Sequence, residues 1–416
     1  MHHHDHERGH SRLMRRPVLR RDQPVTRLAL PPGPVLAHRV AAEGAPLIDP
    51  DPHGDPAHRR ATFVWNERGT RPGSVILHAN KFTDYDDPAS CALEPVPGTG
   101  LWAAAFRVPA GWRSSYRIGP LPQTLDRLGE LGTGRAARAA LLRHAQADPH
   151  ARAGMRDHQD GSLWSVAEMP RAPGQTWVDA AAPGFLAELT VGGTPVWVHA
   201  TGAPVGAILV LLDGDLWARR HPVTPTLDEL TRRNLLPGLL TVLVGPSGAG
   251  RAADLTANEA YPHRLADEVL PAVLDHERVR GLGVRPSPGT TAVAGQSLGG
   301  LAAVHAAWRR PEVFGNVLAQ SGSFWVQGAQ DGEMPWMHRQ LEVPADGPVR
   351  FRFQVGTMEW GMPAITRDLC DRLRRKGYDA RLEEFCGGHD RACWRGGLGA
   401  GLVDLLGSGC LPRGDN

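Results

Sequence analysis

The stretch Thr291-Ala292-Val293-Ala294-Gly295-Gln296-Ser297-Leu298-Gly299-Gly300-Leu301-Ala302-Ala303-Val304 decides how this chain of 416 residues is read. An apolar run of strand type leads into G-x-S-x-G, and an Ala-rich helical run follows to Arg309. Such a serine sits on a sharp strand-to-helix turn with strained dihedrals, and the flanking glycines leave room for the neighbouring backbone. Its Oγ then projects above the sheet, and the backbone N–H of Leu298 points to where an oxyanion forms. The bare pattern also arises by chance as a structural Gly/Ser turn. The strand before it and the helix after it favour Ser297 as a nucleophile.

A base and a carboxylate should follow in chain order. His389, in Cys386-Gly387-Gly388-His389-Asp390, lies on a Gly-rich loop at the end of a strand-like run over 380–385. The other late histidine, His338, falls in a stretch that reads as surface loop or helix. An orienting acid belongs after the preceding strand, 349–355, and Glu359 follows it closely. Asp368 and Asp371 fall inside the next helix and are worse placed, while Asp390 adjoins the base and points elsewhere. Upstream, Asp213-Gly214-Asp215-Leu216-Trp217 directly follows the apolar run 207–212. Gly214 allows a tight turn there, so that the N–H of Asp215 or Leu216 becomes the second oxyanion donor beside Leu298.

Working outward, 196–200, 207–212, 239–244 and 291–294 are apolar strand runs with helical segments between them, such as 264–274 and 301–309. Strands alternating with helices predict a mostly parallel sheet covered on both faces. Before residue 186 the pattern differs. Runs at 61–65, 74–77, 101–106 and 112–118 are short strands separated by Gly/Pro turns, which predict a β-sandwich. An Ala/Leu/Arg-rich helical stretch at 124–147 interrupts them, and three prolines from Pro170 to Pro183 mark a connection. The expected fold class is therefore α/β: an α/β-hydrolase domain over 186–416, preceded by an N-terminal β-sandwich domain over 21–185. Residues 1–20 are expected to be a disordered His-rich tail, within a frayed arm that extends to about residue 60.

Composition excludes several classes. The formal net charge of +2 argues against a nucleic-acid binder held by phosphate contacts. Five cysteines with no CxxC pair argue against a disulfide framework and a zinc ribbon. Cys386 and Cys393 read as packing residues rather than a redox pair. The polar N-terminus lacks the apolar core of a secretory signal, and no apolar run reaches the length of a membrane span. A cytoplasmic protein without membrane contact follows. His2, His3, His4 and His6 read as a tail rather than a metal site, so no metal or cofactor is expected. Basic residues are almost all Arg, with Lys only at Lys81 and Lys376, which reads as coding bias before function.

Beyond these local signals, the chain resembles the enterochelin esterase family over roughly residues 60–405. The resemblance is carried by Trp112-Arg113-Ser114-Ser115-Tyr116, Ser165-Val166-Ala167-Glu168-Met169-Pro170-Arg171, Leu212-Asp213-Gly214 with Trp217, and Arg251-Ala252-Ala253-Asp254-Leu255 with Asn258. It continues through the elbow, Gln320-Ser321-Gly322-Ser323-Phe324-Trp325, and Gly388-His389-Asp390 with Cys393-Trp394-Arg395-Gly396-Gly397-Leu398. The resemblance implies an esterase-D-like catalytic domain and a cytoplasmic enzyme that hydrolyses the trilactone of ferric enterobactin-like catecholate siderophores. Iron enters only as part of that substrate. Ser297 and His389 match the family's nucleophile and base, and the match at Glu359 is local. Arg251 matches a pocket position, while Asn258, Trp217 and Trp394 are implied as substrate contacts, the two indoles as aromatic walls. Core packing of the indoles and an Arg251–Asp254 ion pair are the alternatives. Asp254 stands where the family pattern tends to have Glu. Rival functions are an esterase for feruloyl or carbohydrate esters and a siderophore-binding protein without catalysis.

Overall fold

In the computed structural model, which describes residues 25–67, 69, 71–202, 204–326, 334–345 and 347–407, the first half of the chain forms nine strands. They are β1 (Arg27–Leu28), β2 (Leu47–Pro50), β3 (His58–Asn66), β4 (Ser74–Ala79), β5 (Ala92–Val96), β6 (Leu101–Pro109), β7 (Arg113–Leu121), β8 (Gly154–Arg156) and β9 (Leu163–Glu168). Their order is β2-β3-β6-β5-β4-β7-β9-β8, with β1 added to β6. The first residues of β5 pair with β4 and its last with β6, so it links two halves of one antiparallel sheet.

The path folds over at β5. Phe63 of β3 meets Tyr116 of β7 with ring centroids 5.0 Å apart. Three strands stand between β3 and β7, which a flat sheet would hold about 19 Å apart at about 4.8 Å per strand. The two halves thus face each other as the expected sandwich, joined through β5, with Phe63, Phe82, Phe106, Trp112 and Tyr116 between them.

The frayed arm expected up to residue 60 is corrected by the structure. Helix Gly33–Glu43 lays Leu36 and Val40 on Leu47, Val64 and Ala103, and β2 pairs with β3. A single i, i+4 apolar pair supports that helix; it is too little to read as a period. The histidines at 2, 3, 4 and 6 lie outside the described residues.

The second sheet holds β10 (Ala187–Val191), β11 (Thr194–Thr201), β12 (Val205–Leu212), β13 (Gly238–Val244), β14 (Thr291–Gln296), β15 (Asn316–Gln320), β16 (Arg350–Gly356) and β17 (Asp379–Phe385), in the order β10-β11-β13-β12-β14-β15-β16-β17. From β13 to β17 neighbours are parallel, while β10 and β11 are antiparallel. Along β12, Ile208, Val210 and Leu212 face one helix layer, which includes Leu298–Arg309 and Met362–Arg375. Ala207, Leu209 and Leu211 face the other, built by Thr224–Arg232 and Arg391–Leu406. Burial on both faces is why this strand is apolar throughout. No helix among the described residues is long and apolar enough to cross a membrane.

Candidate active site

The loops that leave the carboxyl ends of the parallel strands converge, as ligand sites of open α/β sheets do. Ser297 follows β14 with φ 59° and ψ −120°. A Cβ on Gly295 would lie 2.4 Å from the Gly299 backbone, so only glycine lets the strand and helix approach. The turn is held from β15: Ser297 N–H donates to Gln320 O (3.0 Å) and Ser323 N–H donates to Ser297 O (2.9 Å). Ser297 Oγ lies 3.3 Å from Ser323 Oγ. Leu298 opens the helix Leu298–Arg309, so its N–H is one of the first-turn donors that have no acceptor within the helix.

His389 Nδ1 is 2.6 Å from Glu359 Oε2. Glu359 is fully buried, and its Oε1 accepts from Ser321 Oγ (2.5 Å) and Gly356 N (2.8 Å). With the proton on Nδ1 directed at the carboxylate, Nε2 keeps a lone pair. Trp394 packs edge-on against the imidazole, with centroids 4.7 Å apart, and its Nε1 donates to Ser321 Oγ (2.9 Å). The other carboxylates lie elsewhere. Asp368 pairs with Arg372 and Asp371 with Arg374 on an exposed helix face. Asp390 turns into the first domain, where it accepts from Ser115 N (2.6 Å) and Ser114 Oγ (3.0 Å).

After β12, Asp213 has φ 58° and its carbonyl accepts from Leu216 N (3.0 Å) and Trp217 N (3.3 Å). The Leu216 amide is therefore committed within the turn, leaving those of Gly214 and Asp215 as the donors to consider there. A Cβ on Gly214 would lie 2.4 Å from the Leu243 carbonyl carbon, so the turn can lie this close to β13 only with glycine.

Four expected substrate contacts are placed differently. Arg251 grips Asp213 through two bonds, Nε to Oδ1 at 2.5 Å and Nη2 to Oδ2 at 2.7 Å, while Asp254 pairs with Arg264 instead. Trp217 is fully buried and its Nε1 donates to Gln296 Oε1 (2.9 Å), which puts it in the core beneath the elbow. Trp394 supports His389 and Ser321 from behind. Asn258 is used up locally, its Nδ2 donating to Ala253 O and its Oδ1 accepting from Ala260 N, both at 3.0 Å. Large aromatic side chains gain most by full burial, which is why two indoles predicted as walls became supports.

Ser297, Ser323 and His389 open onto a cavity of about 520 Å³ whose walls also include Trp325 and Trp360. The first domain supplies a second wall with Asn80, Lys81, Tyr85, Arg135 and Arg138. Lys81 Nζ sits 4.0 Å from the centroid of Trp360, and Tyr85 OH bonds His78 Nδ1 at 2.6 Å. Sequence reasoning missed this wall. Its only traces were an isolated lysine in an arginine-rich chain and two arginines three apart on helix Gly134–His144.

The strand order, and the serine turn at the carboxyl end of a central parallel strand, define the class: an α/β-hydrolase. Residues 196–405 match the Esterase family model, and the protein is a carboxylic ester hydrolase. Residues 60–178 match the model for the N-terminal part of enterochelin esterase. The iron(III) enterobactin esterase of Dickeya dadantii is 30% identical over 88% of this chain and 92% of its own length. That of Escherichia coli K12 is 33% identical over 83% and 90%. The chain belongs to the enterochelin esterase family. Among solved structures, the ferric enterobactin esterase from Salmonella typhimurium superposes with a TM-score of 0.76 at 28% identity, over 88% of this chain and 98% of its own. The Shigella flexneri enterobactin esterase, solved in the presence of enterobactin, superposes at 0.73 and 28%, over 88% and 96%.

Proposed function

We propose that this enzyme hydrolyses the trilactone backbone of ferric enterobactin-like catecholate siderophores in the cytoplasm, releasing iron, with Ser297, His389 and Glu359 as its catalytic residues. The observation that carries this reading is the pairing of Ser297 and the His389–Glu359 couple with a cavity that the first domain lines with cations. A ferric tris-catecholate is an anion, and Lys81, Arg135 and Arg138 concentrate positive charge in the cavity that holds the serine although the whole chain is nearly neutral. The likeness to iron(III) enterobactin esterases supports the same substrate class.

In the mechanism, Ser297 Oγ attacks a lactone carbonyl as His389 Nε2 takes its proton. The amides of Leu298 and of the Gly214–Asp215 turn receive the oxyanion, each donor typically worth about 3–4 kcal/mol. Collapse expels the seryl oxygen of the substrate, which His389 protonates. Water, deprotonated by His389, then attacks the acyl-enzyme and releases a carboxylate. Glu359 holds the imidazole in the required tautomer and stabilises the imidazolium. The iron is cargo throughout, and the chemistry calls for no cofactor.

Mass analysis of products tests the reading: ferric and iron-free trilactones should give linear trimer, dimer and monomer in succession. Turnover of feruloyl esters with no cleavage of either trilactone would reject the substrate class. Glu359→Gln should lower kcat about 10³-fold with little change in KM, since an amide can present the wrong tautomer to His389. Steady-state kinetics on the trilactone checks this.

A further inference from the structure

We propose that the first domain is a positioning part of the catalytic machinery, with Asn80 and Ser115 holding the loop that carries His389. This rests on the reading of His389 as the base for Ser297.

The reason lies in how β7 is paired. On one side it runs along β9 through Arg113–Tyr116, but on the other β4 reaches only as far as Tyr116. The β7 backbone before Tyr116 therefore lacks a neighbouring strand on that side, and buried amides need acceptors. The catalytic domain supplies them. Arg113 N–H donates to Cys386 O at 3.2 Å, in a parallel bridge between Arg113 and Gly387. Two residues on, Ser115 N–H donates to Asp390 Oδ2 at 2.6 Å, and Ser115 Oγ donates to Asp390 Oδ1 at 2.9 Å. The segment 386–390 thus continues the sheet of the first domain where β4 stops, with His389 next to its anchor.

Asp390 also caps the helix Arg391–Leu406 by accepting from Ala392 N (2.9 Å). One buried carboxylate, 3% exposed, therefore ties a strand of the first domain to a helix of the second.

A second grip comes from the turn after β4. Asn80 Nδ2 donates to the carbonyl of His389 itself. The same turn lays Lys81 on Trp360, the residue after Glu359. Thr83 fixes the turn, its Oγ1 donating to Leu77 O (2.7 Å) and accepting from Ala79 N (3.0 Å). One turn of the first domain therefore touches both the base loop and the acid turn. Asn80 and Ser115 act through His389 and do not take part in the chemistry.

The test uses the full chain and p-nitrophenyl acetate, a small neutral ester that needs no cationic wall. Asn80→Ala and Ser115→Ala should each lower kcat about tenfold while KM stays within twofold. Ser115→Thr, which keeps the hydroxyl that donates to Asp390, should recover most of the lost kcat. Wild-type kcat in both alanine variants would overturn the proposal, as would a kcat loss that Ser115→Thr does not recover or one matched by an equal rise in KM. Should Ser115→Ala fail to fold, Asn80→Ala decides, since Asn80 lies in a half-buried turn. Ser297→Ala and His389→Ala run alongside: if they keep full activity, the reading of the site fails; if they lose activity and Asn80→Ala does not, only the positioning role fails.

Discussion

Replacing Ser297 by alanine should lower trilactone turnover by on the order of 10⁴-fold or more, as loss of the nucleophile does in serine hydrolases. The substrate should still bind, because the cationic wall and Trp325 are untouched. Replacing the same residue by glycine should abolish turnover and raise stability. At φ 59° and ψ −120° Ser297 lies outside the regions that residues with a Cβ adopt freely. Such strain typically costs about 1–3 kcal/mol, which glycine relieves. Among the described residues its hydroxyl meets Ser323 Oγ at a long 3.3 Å, so little bonding is lost. Single-turnover kinetics and urea unfolding of the two variants measure both effects. A Ser297→Ala enzyme keeping a tenth of the activity would refute the nucleophile, and a Ser297→Gly enzyme less stable than wild type would refute the strain.

Stability should also fall steeply as the pH drops below about 6.5, from three buried neutral histidines. Burial pushes His78 from 6.5 to about 3, and the nearby Arg138 and Arg117 push it the same way. Burial and the Arg391 cation push His221 down to about 4. Burial lowers His338 to about 4 against the pull of Asp368. The geometry agrees for His221, whose Nε2 accepts from Arg391 Nη1 (3.1 Å) while Nδ1 donates to Arg156 O (3.0 Å). Protonation would set two cations against each other.

Between pH 6.5 and about 4 the unfolded chain binds protons at these three sites that the native state refuses, so stability rises with pH across that window and is lost on acidification. Each group contributes about 1.4 kcal/mol per pH unit, so the slope approaches about 4 kcal/mol per unit. Asp148, whose burial raises its carboxyl, opposes this in part. The loss approaches about 10 kcal/mol by pH 4, comparable with the about 5–15 kcal/mol that typical domains hold, so most of the stability should be gone by then. Urea midpoints at pH 7.5, 6.0 and 5.0 test it. Equal midpoints would remove the histidine account, whereas His221→Gln should flatten the slope.

How legible the site was depended on distance along the chain. Gly295–Gly299 with its strand and helix is a contiguous signal, because elbow geometry is set by residues that are neighbours in sequence. Placing Glu359 after 349–355 used only the chain order of such sites, and the structure puts its carboxylate against His389. The arm before residue 60 was misread because two leucine- or valine-type anchors, Leu36 and Val40, leave too faint a period. Trp217, Trp394 and Asn258 were expected in the pocket, but the sequence carries no mark of which face of an element meets the cavity. For the two indoles the acceptors of their N–H groups lay in the core, at Gln296 and Ser321.

By itself, then, the sequence of this esterase determined the serine turn, the alternation of strands and helices around it, and the order in which base and acid follow. These are local because backbone strain, periodicity and glycine contacts act over a few residues. Only the tertiary structure decided that the base loop would complete an unfinished edge of β7 and that the cavity would have its charged wall in another domain. Both arise where two sheets meet: buried backbone amides must find acceptors wherever they lie, and a chain cannot signal in one segment which distant segment will supply them.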